Sequence, residues 1–272
     1  MPEEVRITTV TELALDWDGV VSDGPVVGSL LLSSPVSRAD LATVLTGETW
    51  SEEQPDDPNT WCFDHEGTGF AAHYLPTPIP DDEAQQGMHP IYCGDNEAIR
   101  QYSSTLVLAS TPALDSLEAE EDPFEARVTH MDATATVIDQ LCRLPQAVGV
   151  FMVETATTYA AELFGEQVHP EGDLYPGPFY APVRLRPLSE GRWEAWSCGL
   201  AALGIPEVQV VDSSWDPTEL FEYLSSVVDH ELAGNLIMAN QTVGRTPEEK
   251  LPTSWQHWLL DPEVPALQIT TG

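Results

Sequence analysis

The amino-acid sequence predicts an α+β fold, with a mixed or mainly antiparallel sheet and helices packed against it. Three observations lead there. Apolar runs of strand length adjoin in pairs, turn residues separate them, and segments of helical periodicity interrupt only some of the pairs. The 272 residues are 42% apolar, enough to bury a core, so a folded chain is expected despite a net charge of −35. No Gly/Ser linker interrupts residues 1–245, which are expected to form one α+β domain, with 246–272 as a Pro- and Trp-containing C-terminal tail.

Ser29–Ser33 reads as a short strand. A helix follows, with Ser37 as N-cap and Leu41, Val44 and Leu45 on its apolar face. Trp61–His65 and Gly69–Leu75 read as two strands around a Glu66-Gly67 turn. Pro76, Pro78 and Pro80 stop the second strand, because proline donates no ladder hydrogen bond. Ser103–Ser110 is the next strand, and a helix is expected over Ala133–Leu144 with Asp132 as N-cap. Gly149–Val153 reads as a strand and Thr157–Phe164 as a short helix. Pro182–Leu188 and Trp193–Cys198 form a hairpin, followed by a strand at Glu207–Val211. The longest helix is expected over Asp216–Leu232, with Pro217 at its first position and Leu220, Tyr223, Leu224 and Val227 on one side. The order β-α-β-β occurs early and in longer form after Ser103. A duplicated unit would fit that order, although no residue-level repeat accompanies it.

Charge excludes several functions. Asp and Glu number 45 against 10 Lys and Arg, and Lys250 is the only lysine. Direct binding to a nucleic-acid backbone needs clustered cations, and so does attachment to an anionic membrane. No positive n-region opens the chain, and no apolar run approaches the ~18 residues of a membrane span. Cys62, Cys93, Cys142 and Cys198 are far apart and include no CxxC pair, which points to reduced thiols in a cytoplasmic protein. No cofactor is called for. The acidity itself has two readings: solubility, salt adaptation or compositional bias on one side, and complementarity to a basic protein partner on the other. The candidate acidic interaction surface comprises Asp56, Asp57, Asp81, Asp82, Glu83, Glu118, Glu120, Glu121 and Asp122.

Among motifs, Leu15-Asp16-Trp17-Asp18-Gly19-Val20-Val21 resembles the first motif of haloacid-dehalogenase-type phosphatases. In that chemistry Asp16 would attack phosphorus and Asp18 would protonate the leaving group, beside a Mg²⁺ ion. Such a site also needs a lysine ahead of an acidic metal-binding motif. Lys250 is followed closely only by Asp261 and Glu263, and Gly94-Asp95-Asn96 lies on its wrong side. An acidic Asp-Gly turn explains the segment equally simply. No two histidines stand at i, i+4 and no HExxH occurs, so a zinc-hydrolase helix is not expected. Cys62 and His65, three apart on a strand, would face opposite sides of the sheet. Asp229-His230-Glu231 would point in different directions from one helix. Ser197-Cys198-Gly199 fits core packing better than a thiol site.

A set of segments in fixed order carries a family resemblance. These are the strand-plus-helix LLLSSPVSRADLATVL, GFAAHYLPTPIP at 69–80, AVGVFMVETATTYAAELF at 147–164, WEAWSCGLAALGIPEVQV at 193–210 and ANQTVG at 239–244. The pattern is similar to the bacterial domain-of-unknown-function family numbered 4261. It covers roughly residues 28–245 and departs from the family at the acidic loops and the Trp-bearing tail. The resemblance implies no activity and no catalytic residues. Gly199, Gly204 and Glu207 form a Gly-x-x-x-x-Gly-x-x-Glu turn, in which the glycines would suit positive φ or close backbone approach. The functional expectation is a non-enzymatic, immunity- or inhibitor-like interaction protein with a basic partner. The alternative is the Asp16/Asp18 phosphatase.

Overall fold

A computed structural model describes residues 21–52, 55–111, 122–169 and 176–271. The described residues divide into two compact units, one within Asp23–Phe179 and the other comprising 21–22 and the described part of Tyr180–Gly272. Each has its own sheet and its own helices, so the α+β class holds in both.

The first unit is built on a wholly antiparallel sheet of order β2-β3-β4-β5-β1-β6-β7. Its strands are β1 (Val26–Leu32), β2 (Glu48–Trp50), β3 (Thr60–His65), β4 (Thr68–Leu75), β5 (Ser104–Thr111), β6 (Ala147–Met152) and β7 (Thr157–Ala160). Helix α1 (Arg38–Val44) starts on a full capping box, in which Ser37 and Asp40 bond each other's backbone N–H. Helix α2 (Pro123–Leu141) covers one side of β1 and β5. On the other side Leu31, Ile99, Tyr102, Phe151 and Ala160 pack with Ala84 and Cys93 from one-turn helices. With both faces covered, β1 is apolar at nearly every position rather than alternating.

Two expectations in this unit change. The second helix begins at Pro123, with Asp122 rather than Asp132 as its N-cap; the Asp122 side chain accepts from Phe124 N at 2.9 Å. Thr157–Ala160, expected as helix, is the edge strand β7 paired with β6, and helix α3 (Ala161–Val168) starts only afterwards. Two adjacent β-branched threonines prefer the strand.

The second unit carries a sheet of order β11-β12-β13-β10-β9-β8, formed by β8 (Val183–Ser189), β9 (Arg192–Ser197), β10 (Glu207–Ser213), β11 (Thr242–Val243), β12 (Leu251–His257) and β13 (Pro265–Ile269). Helix α4 (Pro217–Leu232) packs over β8, β9 and β10 through Leu220, Tyr223, Leu224, Val227 and Val228, all buried. Residues 246–272 are therefore more than a tail. They supply β12 and β13, and β13 pairs in parallel with the central β10, Glu207 opposite Ala266. The two sheets have different strand orders; the element order β-α-β-β occurs at β1-α1-β2-β3 and again, after Ser103, at β5-α2-β6-β7. Among the described residues no helix is long and apolar enough to cross a membrane.

Candidate functional site

The acidic residues fall into three groups. Asp56 and Asp57 precede β3, and Asp81, Asp82 and Glu83 follow β4. Since β3 and β4 pair antiparallel, Thr60 opposite His73, Asp57 lies at the end of the hairpin away from its Glu66-Gly67 turn, whereas Asp81–Glu83 lead into Ala84, whose carbonyl takes the Thr158 hydroxyl of β7 at the far edge of the sheet. Side-chain bonds hold both segments. The Asp57 carboxylate accepts from Asn59 N at 3.0 Å and Thr60 Oγ1 at 3.1 Å, and lies 3.3 Å from His73 Nδ1. The Asn59 N–H holds the Asp57 carboxyl below its ordinary pKa. Thr105 Oγ1 donates to Thr77 O at 3.1 Å, and Ile79 N donates to Tyr102 Oη at 2.8 Å, which pins 77–79 to the start of β5. Burial raises the Tyr102 phenol, and neighbouring Asp82 adds to the effect. All five carboxylates are exposed, and four of them (Asp56, Asp81, Asp82 and Glu83) have no ion pair among the described residues.

Asp122 does not join them. As N-cap of α2 it stands toward the Val26–Ser110 end of the sheet, where Arg127 of the same helix donates to Gly24 O and pairs with Glu154. Glu118, Glu120 and Glu121 lie outside the described residues, as do Asp16 and Asp18.

Within the second unit, Glu207 is the most deeply buried carboxylate, at 1% exposure. It reaches back to the turn before it, accepting from Gly199 N at 2.8 Å, Ala201 N at 3.2 Å and the Ser197 hydroxyl. Burial raises its pKa, while these donors oppose the rise. Gly199 (φ 129°) and Gly204 (φ 73°) bracket the single 3₁₀ turn Leu200–Leu203, in the left-handed half of φ space that the sequence anticipated. Cys198 is buried, and its thiol is pushed up to about 12, first by burial and then by Glu207. That fits packing, not nucleophilic attack.

A cleft of about 600 Å³ opens beside α4. Its wall includes Tyr223, Ser226 and His230 of the helix, and Thr242–Pro247, Glu249 and Lys250 facing them. Gly244 closes this loop, because a Cβ there would collide with the Glu249 carbonyl oxygen. Arg245 organises one side. It stacks 4.0 Å over the Trp215 ring, binds Glu219, and holds both oxygens of Glu249 through Nε and Nη2. Tyr223 is 5% exposed and its hydroxyl has no hydrogen-bond partner among the described residues; burial, aided by Glu249, pushes its pKa up to about 12. Lys250 has no ion pair among the described residues. Sequence reasoning singled out Lys250 as the only lysine but did not connect it to Tyr223 or His230. Asp229-His230-Glu231 does diverge as expected: His230 lines the cleft, while Glu231 is buried and accepts from Ile237 N at 2.9 Å. No group of three or more His, Cys, Asp or Glu among the described residues could hold a metal ion.

Residues 196–270 match the family model described as Domain of unknown function (DUF4261). The suspected family is the one found. The DUF4261 match takes in Trp196–Val210, the Gly199–Glu207 turn, Ala239–Gly244 and the cleft, and it runs on through the Trp-bearing segment expected to depart from it. The segments quoted at 28–45, 69–80 and 147–164 lie outside it. Comparison with curated proteins and with solved structures gave no match.

Proposed function

We propose that this chain is a non-enzymatic interaction protein of the bacterial cytoplasm, immunity- or inhibitor-like, whose acidic surface meets a basic protein. One observation carries the reading. Two acidic segments of one unit, Asp56-Asp57 before β3 and Asp81-Asp82-Glu83 after β4, are exposed and largely without cations of their own among the described residues. In a chain of net charge −35, such segments add to a negative potential that steers a cationic partner. The phosphatase reading rests on the Asp16/Asp18 motif alone, and nothing in the described residues favours it.

The test is affinity capture from the native host at moderate salt, with elution by a salt ramp. A basic protein should be retained and released as screening rises. Retention of nothing basic, or of proteins indifferent to salt, would overturn the proposal.

A further inference from the structure

We infer that the cleft between α4 and the 242–250 loop binds a small molecule bearing a carboxylate or phosphate group. The inference concerns the second unit and does not depend on the acidic segments of the first.

The size is right for a small molecule, since such sites commonly span about 300–1,000 Å³ and this cleft holds about 600 Å³. The balance of donors and acceptors selects the chemistry. The wall's carboxylate, Glu249, is already engaged by the Arg245 guanidinium and, at 2.7 Å, by the Arg245 backbone N–H. Its donors are in surplus. The buried Tyr223 hydroxyl, the Lys250 ammonium and the His230 ring have no partner among the described residues. A hydroxyl buried without a partner is costly. An anionic oxygen in the cleft would give the Tyr223 hydroxyl its missing acceptor and pair with the Lys250 ammonium, both through charge-assisted bonds. The setting sharpens this. The sole lysine of the chain lines this cleft, beside an Arg245 already held by Glu219 and Glu249.

Titration of the full chain with inorganic phosphate and, separately, with citrate tests the inference by calorimetry and by the His230 ring signals in NMR. At least one probe should bind saturably, and the probe that binds identifies phosphate or carboxylate as the group recognised. Lys250→Met and Tyr223→Phe should each weaken binding about ten- to a hundredfold, the loss expected for a hydrogen bond to a charged group. Lys250→Arg should retain most of it. Lys250 is exposed and Phe keeps the Tyr223 ring, so both variants should melt as cooperatively as wild type. No saturable binding of either probe in the millimolar range would overturn the inference. So would binding that Lys250→Met and Tyr223→Phe leave unchanged.

Discussion

The Glu207 carboxylate accepts the Gly199 backbone N–H at 2.8 Å, so the last residue of the Gly-x-x-x-x-Gly-x-x-Glu turn closes onto its first. The motif is thus one physical unit, in which two positive-φ glycines shape a 3₁₀ turn and a buried carboxylate takes up its free N–H groups.

Glu207→Ala should therefore destabilise the protein by roughly 2–4 kcal/mol, because Gly199 N, Ala201 N and the Ser197 hydroxyl lose their acceptor inside the fold. Glu207→Gln keeps one acceptor oxygen and should cost less. Denaturant unfolding of the two variants checks the order, and an Ala variant as stable as wild type would show that the turn does not depend on the carboxylate.

Gly244→Ala should disturb the cleft loop more than its exposure suggests, since the added Cβ meets the backbone carbonyl of Glu249 and not a movable side chain. Hydrogen exchange across 242–250 should speed up while α4 stays protected. Unchanged exchange would mean that the loop has room to shift.

Two buried groups, Glu231 and His130, should respond to acid in opposite senses. Burial raises Glu231 to about 7 from 4.5, so the stability it gains by protonation is fully present below 4.5 and is lost as pH rises through about 7. His130, lowered to about 4 by burial and by Arg127, works the other way. Its contribution is present above 6.5 and is lost as pH falls through about 4. Glu231→Gln should raise the unfolding midpoint near pH ~8, by an equivalent of about 2 kcal/mol, and change it little near pH ~4. Thermal melts across that range decide it. A variant less stable than wild type at the upper end would show that the ionised carboxylate is tolerated in the fold.

Stability should also rise as NaCl goes from ~0.01 to ~1 M, because the screening length falls from ~30 to ~3 Å and the excess of negative charge repels itself less. A flat or falling midpoint would mean that the ten cations are already placed to relieve the repulsion.

Much of the fold was legible because local signals agreed with the tertiary outcome. Ser37 capped α1, and the Pro76–Pro80 stretch ended β4. Asp216-Pro217 opened α4 at the residue expected. The same Asp-Pro signal stands at 122–123 and opens α2, but the surrounding glutamates made it read as a solvated loop. β13 escaped notice because its partner β10 is more than fifty residues away, and a parallel pairing at that range leaves no local trace. The cleft was illegible for a similar reason. Lys250 stood out by composition, whereas the unpartnered hydroxyl of Tyr223 exists only once α4 is packed; in the sequence that tyrosine is one more residue of an apolar helical face.

The central claim, that the acidic segments flanking β3 and β4 recognise a basic partner, is tested most directly by moving the same charge loss between two places. One variant carries Asp56→Asn, Asp57→Asn, Asp81→Asn, Asp82→Asn and Glu83→Gln. A control carries Glu166→Gln, Glu190→Gln, Glu222→Gln, Glu248→Gln and Glu263→Gln, all exposed and outside those two segments. The measurement is the amount of captured basic protein retained by each at fixed, moderate salt. The account predicts that the first variant loses the partner while the control keeps it at close to the wild-type level. Equal retention by both, or equal loss from both, would contradict it, because the partner would then be reading total charge and not this surface.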